Sequence, residues 1–590
     1  MNDHNDVSPH TSADDGRPWG AQNSLRRNAR LVKNNASDEV TPLLSDGASP
    51  LGDDTTHEWE GADDFVGVPL WNKPSLFWLL PAFSLFSLAF GGIIVPKLNL
   101  ILSLVCREYL FDRASTDPTF TFASVILETE NAQCRIPEVQ ALVTKFMLFM
   151  VIIPGILSAI MAPRLGSMSD RYGRKRFMVL SSSGLFCAEV ITILVAKYPD
   201  TLDYRWLLAG AIFDGLTGSF TVGMALTHAY AADCTAPPKR GVAFGYFHAC
   251  LFTGIALGPL VAAFIIKAFG EILIVFYIAL VIHTCFMLFV AFVVPESLSK
   301  KRQILARERY ARDGGTWAGY NSAWALKKLN ILEPLKILRP TGLGTSSRLR
   351  ANLLLLAMVD TIIFGVAMGA VTVTVYYMGY QFGWGTAQTS MFIFAVNSTR
   401  VTCLVLILPV LNYFVRTRPA NKQRRQSGFA IPEKNSGSDN LDLNIIRGAI
   451  FFELLGFLGY ALARRGEVFV VAGIVTALGG VGSPTLQSAL TKHVPHDRVG
   501  QLLGATGLLH SLARVVAPLV FNLIYAGTVD TFPQTVFVVL ALCFGLALLA
   551  SFLIRPHIYL EDIDETTGNP PRSNTSRGGE DLANEEIGGC

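Results

Sequence analysis

Charged and titratable side chains interrupt the most apolar stretches of this 590-residue chain. The residues with the most useful chemistry there are Asp214, Asp360, Arg400, His510 and Arg514. In apolar surroundings a carboxylate or histidine can hold and release a proton, and an arginine can neutralise a carboxylate or bind an anion. Asp360 paired with Arg400 or Arg514 would form a lock that protonation opens. The alternative is a permanent ion pair that only holds helices together.

The other candidates depend on depth and on helix face. His510 precedes Arg514 by one helical turn, so both side chains can line one cavity. Asp214 is either a proton carrier or a charge near the membrane surface that faces water. Four further titratable residues lie in apolar stretches: Glu189, His248, His283 and Glu453. For the histidines, a hydrogen bond to a neighbouring helix is the alternative to proton transfer.

The amino-acid composition limits the class of protein that can contain these side chains. Hydrophobic residues make up 51% of the chain and charged residues only 16%, whereas soluble domains carry about 25% charged residues. A soluble enzyme and a nucleic-acid binder are therefore excluded. The nine cysteines follow no metal-binding spacing, and the glycine-rich run at 479–482 lacks the Lys-Ser or Lys-Thr of a phosphate cradle. We expect no metal, no cofactor and no enzymatic activity.

Apolar stretches long enough to cross about 30 Å of hydrocarbon occur twelve times. They predict an all-α polytopic membrane protein with two six-helix bundles, joined and flanked by polar segments. The predicted parts are a disordered tail (1–72), an N-terminal bundle (73–295), a linker (296–349), a C-terminal bundle (350–555) with an insert at about 415–444, and a second tail (556–590).

Basic residues gather in the connection after the second span, in the linker and in the insert. The positive-inside rule therefore predicts that both termini are cytosolic. The first connection on the outer side is bracketed by Cys106 and Cys134. A disulfide is reasonable there because that side is oxidising. The alternative is two unrelated thiols near the membrane surface.

The two halves of the chain are related in sequence. Residues 241–265 align without gaps on 500–524, so that Gly241 meets Gly500 and Pro259 meets Pro518. These segments are the fifth span of each half. Repeated bundles in one membrane protein indicate alternating access to a site near mid-membrane.

The loop after the second span reads GSMSDRYGRKR, from Gly166 to Arg176. Gly166 and Gly173 permit a tight turn, and Asp170 among several cations can form a charged clamp between helix ends. Such a clamp must break when the bundles rock, so it is a candidate conformational latch. The alternative is a solvated basic loop that only fixes topology.

This loop resembles the signature of the major facilitator superfamily between helices two and three. The resemblance extends over nearly all of 75–555, including Pro295-Glu296-Ser297 after helix six. In that superfamily the aspartate and arginine of the loop engage an acidic residue at the cytosolic end of helix four, a position that Asp233 occupies here. The resemblance therefore implies a latch formed by six residues: Gly166, Asp170, Arg171, Gly173, Arg174 and Asp233.

Helix five resembles the antiporter motif of drug–proton exchangers. Gly245, Gly254, Gly258 and Pro259 follow its spacing, but Ala262-Ala263 stands where the motif usually has two glycines. The alternative is a close-packed helix face with no role in coupling. Asp214 marks a second departure, because exporters of the superfamily commonly place an arginine at this point of helix four.

Together these patterns predict a secondary transporter that exports small organic compounds in exchange for protons. Two alternatives remain: proton-coupled uptake of an organic anion or nutrient, and a non-transporting membrane sensor. The expected partners are a small organic substrate, protons and the lipid bilayer, with no nucleic acid. We expect a monomer in the plasma membrane, with the vacuolar membrane as the alternative location.

Overall fold

The computed structural model describes residues 64–65, 67–116, 132–134, 136–312, 333–341, 345–427 and 437–559. The predicted tails lie almost wholly outside these residues, as does the middle of the predicted linker. Within the described residues the regular elements are helices, and no strand occurs. The prediction of an all-α fold is confirmed.

Twelve helices among the described residues are long and apolar enough to cross a membrane, as predicted for a polytopic protein. The N-terminal bundle contains α1 (Leu76–Thr116), α2 (Pro137–Tyr172), α3 (Arg174–Lys197), α4 (Tyr204–Cys234), α5 (Pro237–Phe269) and α6 (Leu273–Phe292). The C-terminal bundle contains α7 (Ser347–Phe382), α8 (Ala387–Gln423), α9 (Asn440–Leu462), α10 (Gly466–Thr491), α11 (His496–Thr528) and α12 (Thr535–Phe552). A further helix between the bundles, Lys300–Arg312, is called the linker helix below.

Several helices depart from uniform α-geometry or from the predicted ends. Helical turns continue from α8 to Ser427, and α9 begins at Asn440, so both occupy parts of the predicted insert. The Asp439 side chain fixes the start of α9 by accepting a hydrogen bond from the Asp442 amide. In α4 the helix is interrupted at Gly218, whose φ of 94° suits a residue without a Cβ. Two π-helical turns interrupt α8, at Cys403–Ile407 and Tyr413–Thr417.

The connections between the spanning helices lie at two opposite ends of the bundles. The clamp side carries the α2–α3 turn at Gly173, and the disulfide side carries Cys106 and Cys134, which the structure joins by a disulfide. Because consecutive spanning helices run in opposite directions, the α8–α9 connection and the start of α11 lie on the clamp side.

Small residues bring α1 and α5 into close contact within the N-terminal bundle. A Cβ on Gly254 would meet the carbonyl of Ser87, and a Cβ on Gly258 would meet the backbone of Gly91 and Gly92. The glycines of the helix-five pattern therefore have a packing role. Gly245 differs because it faces the Leu408 side chain of α8, in the other bundle.

The bundles meet along α2 and α11. A Cβ on Gly504 would lie 2.7 Å from the Ala162 carbonyl oxygen and 3.0 Å from the Pro163 Cα. Further from the clamp side, the hydroxyl groups of Ser158, Thr221 and Ser511 lie within 2.8–3.0 Å of one another. This contact brings clamp-side and mid-membrane groups of both bundles together.

Candidate functional site

The α2–α3 turn positions a fully buried arginine. Gly173 ends α2 with a φ of 98°, and the chain then enters α3 at Arg174. The Arg174 Nη1 lies 2.5 Å from Asp170 Oδ1, and its Nε lies 2.9 Å from Asp233 Oδ2. One guanidinium therefore joins the end of α2 to the end of α4, which suits its fixed fork of donors.

The segment after α6 completes this cluster. Glu296 accepts hydrogen bonds from the backbone amides of Arg174 (2.8 Å) and Lys175 (3.2 Å), at the N-terminus of α3. Ser297 Oγ donates to Asp233 Oδ2 at 3.0 Å. Burial raises the pKa of the Glu296 carboxyl, although the Arg174 amide and its neighbours oppose that shift. We call Asp170, Arg174, Asp233 and Glu296 the clamp.

The clamp also binds the other bundle. Asp170 accepts hydrogen bonds from the backbone amides of Gly500 (2.9 Å) and Gln501 (2.7 Å) at the start of α11. A helix N-terminus favours a carboxylate because its first amides lack partners within the helix. Beside it, a Cβ on Gly166 would lie 2.9 Å from the Gly504 Cα. Gly166 thus allows the backbone approach on which this bond depends.

Arg171 does not belong to the clamp, contrary to the implied latch. Its guanidinium lies 3.8 Å from the centre of the Tyr310 ring on the linker helix, and its Nε donates to the Ser167 carbonyl. Asp170 and Arg171 are about 100° apart around the helix, so the inward face holds only one of them. Glu296 belongs to the cluster instead. The sequence pattern after helix six included this residue but assigned it no role.

At mid-membrane, Asp360 of α7 is paired with histidine. His510 Nε2 lies 3.0 Å from Asp360 Oδ2, and Phe364 stacks on the His510 ring with centroids 4.2 Å apart. The predicted pairing of Asp360 with Arg400 or Arg514 is wrong. Depth along a helix could not decide the partner, because the face on which each side chain lies was unknown.

Arg400 and Arg514 have other neighbours. Arg400 lies 3.8 Å from Glu453 of α9 and over the Phe252 ring of α5, at 5.3 Å. Arg514 donates to Ser219 Oγ at 3.2 Å, and that hydroxyl donates to Asp214 Oδ2 at 2.7 Å. The structure therefore brings Asp214 and Arg514 together, which the sequence did not predict.

Asp214, Ser219 and Arg514 form the polar end of a cavity in the N-terminal bundle. About 80 Å³ of the cavity is open to the centre of a water-sized sphere, and about 650 Å³ is empty when all space between its walls and the solvent at its mouth is counted. Five phenylalanines line it: Phe83, Phe86, Phe90, Phe220 and Phe286. Such walls suit a flat apolar compound, with one end beside a charged group.

The N-terminal bundle also contains two groups of buried histidines. His283 Nδ1 lies 2.6 Å from Glu189 Oε1, behind the cavity residue Phe86, whose ring centroid is 4.6 Å from that of His283. His228 of α4 stacks on His248 of α5 with ring centroids 5.1 Å apart. Glu189, His248 and His283 were recognised as titratable residues in apolar stretches, but their partners were not, and His228 was missed.

The C-terminal bundle has its own ion-pair cluster on the clamp side. Arg416 donates to Asp439 and to Asp442 Oδ1 (2.7 Å), and Lys492 Nζ lies 2.5 Å from Asp442 Oδ2. Burial lowers the pKa of Lys492, although Asp442 opposes that shift. Burial opposes ionisation of Asp439, but Arg416 outweighs it, and the Asp439 pKa falls below its usual range. We call these four residues the C-terminal cluster; no sequence pattern predicted it.

Comparisons with known proteins find related sequences and structures. The family model described as Major Facilitator Superfamily matches residues 137–429. An MFS-type transporter, avaJ, of Aspergillus versicolor is 30% identical over 529 residues, which cover 90% of this chain and 96% of the relative. The class C tetracycline resistance protein of Escherichia coli is 26% identical, covering 64% and 79%.

Among solved structures, the human organic anion transporter MFSD10 (TETRAN) superposes with a TM-score of 0.57 at 18% identity. The match covers 82% of this chain and 100% of that structure, which shows a shared fold. Similarity over nearly the full length of a relative thus confirms the family resemblance stated from the sequence. The chain belongs to the major facilitator superfamily of membrane transporters.

Proposed function

We propose that this transporter exports small aromatic organic compounds in exchange for protons. The observation that carries the proposal is the position of Asp360–His510 relative to the cavity. His510 pairs with Asp360, and Arg514, one turn further along α11, lines the cavity. A proton site and a compound site therefore share one helix, which also forms the contact between the bundles.

The proton chemistry follows from the environment of the pair. Both side chains are buried, Asp360 to 1% exposure and His510 to 7%. A carboxylate and a histidinium attract each other in apolar surroundings, and losing the proton leaves an uncompensated buried carboxylate. Release of that proton therefore favours a conformation in which Asp360 reaches water or another cation. Coupling requires such a difference between two states.

In the proposed cycle the clamp side faces the cytosol, and the protein works as a monomer without a cofactor. Closure of the clamp allows the compound to leave from the outer side, and a proton enters there. Breakage of the Asp170 bonds to α11 then opens the clamp side, where the proton leaves and another compound enters. The plasma membrane is the proposed location, and the vacuolar membrane is the alternative.

Similarity supports export over uptake. One relative is named a tetracycline resistance protein, and the aromatic cavity suits compounds with fused rings. The solved structure with a similar fold is named an organic anion transporter, and Arg514 at the polar end of the cavity suits an acidic group. Export of aromatic compounds is the proposal, and proton-coupled uptake is a separate outcome of the test below.

The test uses inside-out membrane vesicles with an acidic interior and a pH-sensitive dye. Tetracycline is added first, followed by a panel of aromatic acids and amines. Accumulation of a compound with loss of interior protons supports export by exchange. Movement of a compound and protons in the same direction supports uptake, and no proton-linked flux with any compound contradicts both.

Asp360→Asn tests the proton site. We expect proton-driven accumulation to fall at least tenfold, because the amide cannot bind and release a proton, while exchange of compound across vesicles at equal pH continues. Asp112→Asn, the same change at an exposed carboxylate of α1, is the matched control. If Asp360→Asn accumulates compound normally between pH 6 and 8, Asp360 does not carry the proton.

A further inference from the structure

The stacked histidines His228 and His248 lie where the two bundles meet. His228 is on α4 and His248 is on α5, and both rings are buried, with exposures of 1% and 8%. His228 also stacks on Phe244, with ring centroids 4.5 Å apart. His248 Nδ1 donates to the Phe244 carbonyl at 3.1 Å, whereas neither nitrogen of His228 makes a well-formed hydrogen bond within the described residues.

The pair extends the Asp360–His510 site toward the clamp side. At 1.5 Å per residue, Asp360 lies about 20 Å from the clamp-side end of α7, and His228 lies only about 9 Å from that end of α4. Electrostatic interaction links His248 to both Asp360 and His510, and links His228 to His248 and His510. Four titratable groups from α4, α5, α7 and α11 thus form a series from mid-membrane toward the clamp.

The same region is the contact that must separate when the clamp side opens. One turn from His248 toward the clamp, Gly245 packs on Leu408 of α8, and Gly241 lies beside Ser488 of α10. The Gln487 side chain of α10 faces His228. A charge on either histidine ring would therefore lie at the contact between the two bundles.

We propose that His228 and His248 form a second proton-binding site, and that a proton on this pair weakens the closed contact between the bundles on the clamp side. The inference rests on the proposed proton coupling, and it adds the site through which the proton acts on the conformation. The pair would receive its proton from Asp360–His510 and release it toward the clamp side.

Charge repulsion is the physical cause. Neutral imidazole rings can stack 5.1 Å apart, but a charged ring there faces a second histidine and His510. Asp360 is the carboxylate that interacts with His248, and it is already paired with His510. On the α8 side, Arg400 with Glu453 lies behind Phe252, a neighbour of the His248 ring. Separation of the bundles would admit water and relieve the repulsion.

Cross-linking can measure the closed contact directly. A Cβ on Gly241 would lie 3.9 Å from the Ser488 Cβ, which is within the range of natural disulfides. The full chain carries Gly241→Cys and Ser488→Cys, the other free cysteines replaced by alanine, and a protease site in the linker between 313 and 332. Oxidation with copper phenanthroline followed by cleavage shows on a gel whether the bundles are linked.

The measurement compares cross-linking rates at pH 8 and pH 5.5 in two backgrounds. The quantity compared is the ratio of the cross-linking rate at pH 8 to that at pH 5.5. We expect this ratio to be at least threefold larger with both histidines present than in a His228→Gln/His248→Gln background. The pH dependence of the thiols themselves is the same in both backgrounds and cancels. Equal slowing in the two backgrounds would overturn the inference.

Controls keep the result interpretable. His283→Gln removes a buried histidine from the same bundle but away from this contact, and should retain the full acid effect. Efficient cross-linking at pH 8 shows that a variant is folded, and the single variants His228→Gln and His248→Gln replace the double variant if it is not. If the natural protein shows proton-linked flux but acid slows cross-linking equally with and without the two histidines, this site alone is rejected. If the acid effect disappears with the histidines but no compound gives proton-linked flux, the proposed function alone is rejected.

Discussion

Each bundle carries an ion-pair cluster at an equivalent place on the clamp side. In the N-terminal bundle, Arg174 joins the α2–α3 turn to the end of α4. In the C-terminal bundle, Arg416 near the end of α8 binds Asp439 and Asp442 at the start of α9, and Lys492 follows α10. The duplication recognised by aligning 241–265 with 500–524 thus has a counterpart in the positions of these clusters.

The two clusters differ in charge balance and in how they touch the other bundle. The clamp contains three carboxylates and one guanidinium, which binds Asp170 and Asp233, while Glu296 binds backbone amides at the start of α3. The amides at the start of α11 supply further positive charge to Asp170. In the C-terminal cluster, two cations balance two carboxylates, and Arg416 reaches the other bundle through one bond to the Pro238 carbonyl, at 2.7 Å. The clamp therefore has two more carboxylates than cations, whereas the C-terminal cluster has equal numbers of both.

The largest effect is expected from Arg174→Gln. It leaves Asp170 and Asp233 buried without a cation, which costs about 3–5 kcal/mol. We expect a marked fall of the apparent melting temperature in detergent and transport at least 100-fold lower. Arg171→Gln is the matched control, because its guanidinium contacts Tyr310 at the partly buried linker-helix surface. A stable, active Arg174→Gln protein would show that the clamp is dispensable.

Gly500→Ala and Gly241→Ala compare equivalent positions of the repeat. A Cβ on Gly500 would lie 2.6 Å from Asp170 Oδ1, inside the clamp, whereas a Cβ on Gly241 would meet Ser488 Oγ at an ordinary 3.8 Å. We expect Gly500→Ala to lower the initial transport rate about tenfold and to slow the cross-linking of the bundles, because it prevents closure. Gly241→Ala should stay within twofold of the natural protein. Equal effects would mean that clamp closure at α11 does not limit transport.

Arg416→Gln should have a smaller effect than Arg174→Gln or Gly500→Ala. Asp442 keeps Lys492, and the Asp439 side chain is about a third exposed, so water can replace part of the lost interaction. We expect a loss of about 1–2 kcal/mol in stability and a transport rate within threefold of the natural protein. The test measures thermal unfolding and vesicle flux of the Arg416→Gln and Arg174→Gln variants under the same conditions. A loss as large as that of Arg174→Gln would contradict the proposed difference between the clusters.

Sequence patterns predicted the fold better than the pairing of side chains. Apolar length identifies each spanning helix, because hydrocarbon thickness fixes how many residues are needed. The clamp motif was also visible, because Gly173 and its charged neighbours lie together in the chain. Asp170, Arg174 and Asp233 then met as the resemblance implied.

The membrane interior was harder to predict because its helices are apolar on every face. Because these helices have no separate polar face, the sequence does not show toward which neighbouring helix Asp360 or Arg514 points. Pairs such as Asp360–His510 and Asp214–Arg514 therefore required coordinates. The C-terminal cluster was missed for another reason: Arg416, Asp442 and Lys492 are separated in sequence, and Arg416 lay in what was predicted as an insert.

The two π-helical turns of α8 decide where its arginines point. Sixteen residues of regular α-helix at 100° each would put Arg416 about 160° around the axis from Arg400. Each π turn takes up one extra residue, so the two turns at Cys403–Ile407 and Tyr413–Thr417 bring that angle back to about 40°. Arg400 and Arg416 can then both bind acidic residues of α9. Without these turns Arg416 would lie on nearly the opposite face of α8 from Arg400, and the C-terminal cluster would lose its arginine.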